Sequence, residues 1–201
     1  MNLANGLTLA RIFAVPLIVT VLLTRPKGGD MLLAVVIFLL ASATDLLDGY
    51  FARKRGEVTT LGILLDPVAD KLLISSVFIS LVQLDLAPAW MVVIIVGREF
   101  AIMGLRNIAS DQGFTIDASE LGKIKMVAQV VAITLLLLGT RNNIFLRIGH
   151  LAMYVVVLFA LLSAVQYFQK FWTKIDVRFK AKERRRLTLV KKRPRRHVPT
   201  Q

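Results

Sequence analysis

Six apolar stretches, each close to the length that crosses a lipid bilayer, occupy most of this 201-residue chain. They cover residues 7–24, 31–54, 60–84, 88–109, 118–140 and 144–172, and short polar segments separate them. A transmembrane helix needs roughly 20 apolar residues, and these stretches are too long for buried strands. In lipid, a helix satisfies every backbone hydrogen bond within the segment itself. The pattern therefore predicts an all-α integral membrane protein with six transmembrane helices.

The distribution of charge predicts how these helices are oriented. The chain is 56% hydrophobic and yet carries a net charge of +13, which fits apolar spans with basic cytoplasmic ends. Basic residues cluster at 53–55, between 106 and 125, and after Trp172, and an even number of spans places all three regions on one side. We expect both termini to face the cytoplasm, in the bacterial cytoplasmic membrane, and we expect no cleaved signal peptide.

The sequence divides into a six-helix transmembrane domain at residues 1–172 and a basic cytoplasmic tail at residues 173–201. The tail is a solvated anchor or, alternatively, a segment attracted to anionic lipid headgroups. Only one aromatic residue, Phe179, lies among its basic residues, so a nucleic-acid partner is not expected. The chain has no cysteine and only two histidines, which excludes disulfides, thiol chemistry and a zinc site of the Cys/His type.

Four aspartates interrupt the second and third apolar stretches: Asp45, Asp48, Asp66 and Asp70. Spacings of three and four residues place each pair on one face of its helix. With a rise of about 1.5 Å per residue, all four lie roughly 9–15 Å from the cytoplasmic ends of their helices. An intramembrane charge costs on the order of 2.5–3.5 kcal/mol, so four at one depth predict a shared purpose.

Carboxylates at one depth on neighbouring helices repel each other unless cations lie between them. Ligands that supply only oxygen favour Mg²⁺, Mn²⁺ or Ca²⁺ over zinc or copper. Individually hydrogen-bonded aspartates and a proton path are the alternatives, but the matched depth favours a metal site for phosphoryl transfer. Three small residues flank the acids and allow a ligand to approach, although helix packing would also account for them: Gly49, Ala52 and Gly62. Arg53 is suited to bind a phosphate, although an anchor at the membrane interface would also account for it.

Together these residues form the pattern Asp45-x2-Asp48-Gly49-x2-Ala52-Arg53-x8-Gly62-x3-Asp66-x3-Asp70. This pattern resembles the signature of the CDP-alcohol phosphotransferase family, whose members move a phosphatidyl group from a CDP-linked lipid to an alcohol and release CMP. The resemblance implies that the four aspartates bind one or two divalent ions, Mg²⁺ or Mn²⁺, and that Asp70 is the general base. It also implies a homodimer, and it places seven residues at the CDP-lipid: Gly49, Ala52, Arg53, Thr59, Gly62, Thr8 and Arg11.

Further charges lie in the fourth and fifth stretches and point to an anionic acceptor. These are Arg98, Arg106, Lys123 and Lys125, and Glu99 follows Arg98 directly. The alternative is that Arg98 and Glu99 neutralise each other while the lysines lie at the membrane interface. The segments 97–106 and 122–129, with the opening 5–11, are similar to those of the phosphatidylglycerophosphate synthases in this family. That similarity implies CDP-diacylglycerol as donor and glycerol 3-phosphate as acceptor.

Three other functions stay open at this stage. The same chemistry could use inositol phosphate, serine or phosphatidylglycerol as acceptor. A divalent-cation or proton-coupled transporter would use the aspartates as an ion path, but such proteins often carry internal repeats, and none is evident here. A structural protein that binds membrane lipids through its tail would give the four buried acids no role.

Overall fold

The computed structural model describes residues 3–24, 31–55, 60–115 and 120–191, which contain six α-helices and no strand. The helices are α1 (Leu3–Thr24), α2 (Leu32–Arg55), α3 (Thr60–Gln83), α4 (Ala89–Asp111), α5 (Glu120–Leu138) and α6 (Asn143–Lys191). The predicted all-α fold is confirmed, and each apolar stretch corresponds to one helix. The largest difference is at the end of α6, which continues as one helix beyond the predicted boundary at residue 172.

Six membrane crossings are not confirmed by length and composition alone. Within the described ranges, one segment is both long and apolar enough to cross a membrane, Asn143–Ile175 in α6. The segments Thr8–Thr24, Leu32–Thr44 and Ile124–Leu138 are apolar but shorter. The apolar run of α2 stops where Asp45 begins the acidic pattern, so the charged residues of the site themselves shorten the uninterrupted apolar length.

Local backbone signals fix both ends of α4. Pro88 precedes the helix with an extended conformation, φ −65° and ψ 127°, and proline is well suited to a helix start because it needs no amide partner. At the other end Gly113 adopts φ 73°, and the amide of Phe114 donates to the carbonyl of Ala109 at 3.0 Å. This left-handed closure ends α4 and turns the chain towards α5.

The helices share one apolar core, which lies towards one end of the bundle. It takes residues from the C-terminal halves of α1, α3 and α5 and from the N-terminal halves of α2, α4 and α6: Leu22, Phe78, Leu136, Phe38, Ile95 and Val156 represent them. Helices that contribute opposite ends to one cluster alternate in direction along the chain. The opposite halves hold most of the buried polar residues, and α4 and α6 form a smaller apolar cluster there: Ile102, Ala109, Tyr167 and Phe171.

Helix α1 packs on both of the helices that carry the aspartates. Among the described residues, α1 is the main neighbour of both α2 and α3, and α5 packs most extensively on α6. The position of α1 brings its buried face, which includes Arg11, beside both helices that carry the aspartates.

Candidate active site

The four aspartates of the predicted metal site lie on two helices with regular backbone. Asp45 and Asp48 are on α2, and Asp66 and Asp70 are on α3. The helical spacing that was expected for each pair is therefore present. The side chains of Asp45, Asp48 and Asp66 lie outside the described residues, so the predicted convergence of all four carboxylates stays a prediction.

Asp70 is the acidic residue of this set whose side chain is described. Its carboxylate is half-buried, 16% exposed, and its Oδ2 pairs with the ammonium group of the next residue, Lys71. Lys71 also lies 3.4 Å from Oε2 of Glu99 on α4. The same lysine thus connects the predicted general base to a second, more deeply buried carboxylate.

Glu99 is the centre of a group of charged side chains from three helices. It is 4% exposed, and its Oε1 accepts from Nη1 of Arg98 at 3.2 Å and also pairs with Nζ of Lys125 on α5. With Lys71 and Asp70 it forms what we call the charge cluster: Asp70, Lys71, Arg98, Glu99 and Lys125. Three cations stand against two carboxylates there, which leaves a surplus of one positive charge.

Helix α6 adds hydroxyl groups beside this cluster. Nη2 of Arg98 donates to Oγ of Ser163 at 2.8 Å, and Tyr167 follows one turn later on the same face of α6. The hydroxyl of Tyr167 is buried and has no hydrogen-bond partner among the described residues. Tyr167 therefore adds a buried donor on the face of α6 that carries Ser163.

Two other buried nitrogen donors near the cluster also have no partner within the described part of the chain. They are Nε of Arg98 and Nε2 of Gln129, which lies one turn after Lys125 on α5. A buried donor without a partner is costly, on the order of 1–3 kcal/mol, and such groups are uncommon away from functional sites. Three donors from α4, α5 and α6 therefore suit a ligand rich in acceptor oxygens.

The residues predicted to hold the CDP-lipid are only partly described. Thr8 and Arg11 are both buried, 3% and 2% exposed, three residues apart on α1. The structure places four further residues in helices but does not describe their side chains: Gly49, Ala52 and Arg53 in α2, and Gly62 in α3. Thr59 lies outside the described residues altogether.

The predicted acceptor residues separate into three groups. Arg98 and Lys125 meet at Glu99, whereas Arg106 is exposed about two turns further along α4. The side chain of Lys123 is outside the described residues. Arg98 and Glu99 do form an ion pair, as the alternative interpretation expected. The Glu99 carboxylate is also shared with Lys125 and Lys71, so it does not neutralise Arg98 alone.

Three side chains of this site were not singled out from the sequence. Lys71 is adjacent to Asp70, and Ser163 and Tyr167 lie inside the long apolar segment Asn143–Ile175 of α6. A lysine beside an intramembrane aspartate is itself a signal, because a second charge at that depth needs a partner. The spacing Ser163-x3-Tyr167 resembles ordinary buried polar residues, and only the tertiary structure brings it to Arg98.

Comparison with known proteins identifies the family. The family model described as CDP-alcohol phosphatidyltransferase matches residues 1–165. A CDP-diacylglycerol–glycerol-3-phosphate 3-phosphatidyltransferase of Bacillus subtilis (strain 168) is 44% identical over 184 residues, covering 85% of this chain and 95% of the relative. A protein of the same name from Rickettsia felis is 36% identical over 171 residues, 84% of this chain and 94% of its own length.

A further match extends this set to another bacterial group. A probable phosphatidylglycerophosphate synthase of Mycobacterium tuberculosis (strain H37Rv) is 39% identical over 169 residues, which is 82% of this chain and 77% of the relative. The family resemblance that the aspartate pattern indicated is therefore confirmed over most of the chain. This chain belongs to the CDP-alcohol phosphatidyltransferase family.

Proposed function

We propose that this protein transfers the phosphatidyl group of CDP-diacylglycerol to glycerol 3-phosphate, giving phosphatidylglycerophosphate and CMP. The names of the similar proteins support both substrates. The observation that carries the assignment is the charge cluster beside Asp70, because a surplus of buried cations next to the predicted base suits an anionic acceptor.

Arg98, Arg106, Lys123 and Lys125 are proposed to bind the acceptor phosphate. Nε of Arg98, Nε2 of Gln129 and the hydroxyl of Tyr167 offer further hydrogen bonds, which an uncharged small alcohol such as glycerol alone would leave largely unused. A phosphate with several acceptor oxygens fits this set better than the zwitterionic head of serine, whose ammonium group would meet like charges.

The residues fit a divalent metal. All four aspartates supply oxygen, they occur at helical spacings of three and four, and Asp70 is half-buried in the described structure. Asp45, Asp48, Asp66 and Asp70 would hold one or two Mg²⁺ or Mn²⁺ ions. When bound, such ions neutralise charge on the diphosphate of the donor.

The proposed reaction assigns the proton transfer to Asp70. A hydroxyl of glycerol 3-phosphate gives its proton to the Asp70 carboxylate as its oxygen bonds to the lipid-bearing phosphorus. The bond from that phosphorus to the bridging oxygen breaks, and CMP leaves with this oxygen. The proposed donor-binding residues, Thr8, Arg11, Gly49, Ala52, Arg53, Thr59 and Gly62, hold the CDP-lipid in place during this step.

We further propose that all six helices cross the membrane. Each helix exposes large apolar side chains to its surroundings: Phe13, Leu40, Ile79, Val93, Val127 and Leu151 are examples from α1 to α6. Soluble proteins rarely expose apolar surface on every element, whereas lipid favours it. The buried charges then lie inside the bundle, where CDP enters from the cytoplasm and the acyl chains stay in lipid. A homodimer stays a prediction.

Purified protein tests this proposal directly. We expect CMP release from CDP-diacylglycerol to require both glycerol 3-phosphate and a divalent ion, to stop with EDTA, and to return when Mg²⁺ or Mn²⁺ is added in excess. Inositol phosphate, serine, phosphatidylglycerol and free glycerol serve as matched acceptors. Release with one of these and not with glycerol 3-phosphate would refute the acceptor assignment, and full activity in EDTA would refute the metal site.

A further inference from the structure

We propose that Glu99 is a positioning residue, which holds Lys71, Arg98 and Lys125 in place relative to Asp70. The inference rests on the proposed function, because it assumes that these cations face the acceptor. Glu99 itself is not assigned to the acceptor, to the donor or to the metal. A carboxylate repels the anionic acceptor that is predicted to bind nearby. Glu99 therefore contributes through the cations that it contacts.

The contacts of Glu99 support this role. One carboxylate receives cations from three helices: Lys71 of α3, Arg98 of α4 and Lys125 of α5. Arg98 continues the chain of contacts to Ser163 of α6. Side chains of four helices are therefore fixed through one buried group, and without it three cations within the bundle would repel each other.

Lys71 gives this arrangement a consequence for the predicted base. It is shared between Asp70 and Glu99, so Glu99 draws part of its charge away from Asp70. Without Glu99, Lys71 would pair with Asp70 alone and compete for the oxygen that must accept a proton. At the same time Arg98 and Lys125 would lose the anchor that directs them. Both effects weaken reaction with the acceptor and leave donor binding largely unchanged.

The central experiment replaces Glu99 by Gln, which keeps the shape and removes the charge. We expect kcat/KM for glycerol 3-phosphate to fall by about 30-fold or more, as for other broken buried charge pairs, while KM for CDP-diacylglycerol changes by less than about twofold. Asp111→Asn, an exposed acid on the same helix, is the matched control and should keep wild-type values for both substrates. Equal changes in KM for CDP-diacylglycerol and for glycerol 3-phosphate would overturn the positioning role.

A double-mutant cycle with Lys71→Met tests whether Glu99 acts through its partner. If it does, Glu99→Gln costs much less in a protein that already lacks Lys71, so the two effects on kcat/KM fall short of multiplying. Fully multiplicative effects would contradict coupling through Lys71. Melting temperature in detergent is recorded for each variant, so that loss of fold is separated from loss of positioning.

Glu99→Asp covers the case in which Glu99→Gln does not fold. It keeps the charge but withdraws the carboxylate by one methylene group, so we expect KM for glycerol 3-phosphate to rise at least threefold with KM for the donor unchanged. Unchanged values for both substrates would refute the proposal. Wild-type protein that releases no CMP with glycerol 3-phosphate would refute the proposed function, a result distinct from an active wild type with unaffected Glu99 variants.

Discussion

Asp70 is the residue on which the proposed chemistry depends most directly. Asp70→Asn removes the negative charge and the proton acceptor with almost no change of shape. We expect kcat to fall by about 100-fold or more, the range for loss of a general base, with little change in melting temperature because the side chain is half-buried. Radiolabelled CMP release measures the rate. Asp70→Glu is the control that restores a carboxylate, and a wild-type rate in Asp70→Asn would contradict the role.

At the scale of single residues, sequence reasoning located charges better than it assigned partners. The aspartates follow from spacing, because i,i+3 and i,i+4 carboxylates in an apolar stretch are too costly to keep in lipid unless they bind a ligand or an ion. Lys125 is predicted to bind the acceptor, and its ion pair with Glu99, 26 positions away in the sequence, is a contact that only the tertiary structure could reveal. Tyr167 was missed because nothing local distinguishes it from other buried aromatic residues of α6.

The pair α5 and α6 shows how one small residue sets the distance between two elements. A Cβ atom built on Gly149 of α6 would lie 2.9 Å from Cδ2 and 3.0 Å from the backbone nitrogen of the buried Leu136 on α5. Alanine at a helix interior normally stabilises by about 0.5–1 kcal/mol relative to glycine. Here the backbone contact leaves no room, so helix packing opposes helix propensity.

We therefore expect Gly149→Ala to lower the stability of the folded protein by about 1–3 kcal/mol, the usual effect of overpacking. Thermal unfolding in detergent measures the change. Gly97→Ala is the matched control: it also lies inside a helix, and a Cβ atom built there has no described atom within 4 Å. If Gly149→Ala raised the melting temperature as Gly97→Ala is expected to do, the close approach of α5 and α6 would be wrong.

Helix ends were predicted well where the sequence contains a local stop signal. Pro88 and Gly113 bound α4 within a few residues of the expected limits, since each acts through its own backbone conformation. The end of α6 has no such signal: residues 173–191 are charged but contain no proline or glycine, so the helix continues. A change from apolar to basic residues predicts where lipid ends, and it does not by itself end a helix.

At the scale of the whole molecule, polarity is separated along the bundle. The shared apolar core occupies one end, and most buried polar residues occupy the other: Thr8, Arg11, Glu99, Lys125, Gln129 and Ser163. Successive helices run in opposite directions and contribute opposite halves to the apolar core. The polar halves of all the helices therefore lie at the same end of the bundle. It is also the reason why simple apolar length identifies only α6 among the described residues as a membrane span.

We expect the polar end of the bundle to face the cytoplasm. The chain has no cysteine, so single introduced cysteines can report which side of the membrane each end faces. Gln83→Cys and Asn143→Cys lie at the apolar end of the bundle, and Ser110→Cys lies at the polar end; all three positions are exposed. We expect a membrane-impermeant maleimide to label the first two in intact cells and Ser110→Cys only after permeabilisation. The unmodified chain is the background control. Helix α4 lies between residues 83 and 110, and α5 lies between residues 110 and 143. Labelling of all three cysteines from one side would therefore show that neither helix crosses the membrane. The buried charges would then need a different environment from the one proposed.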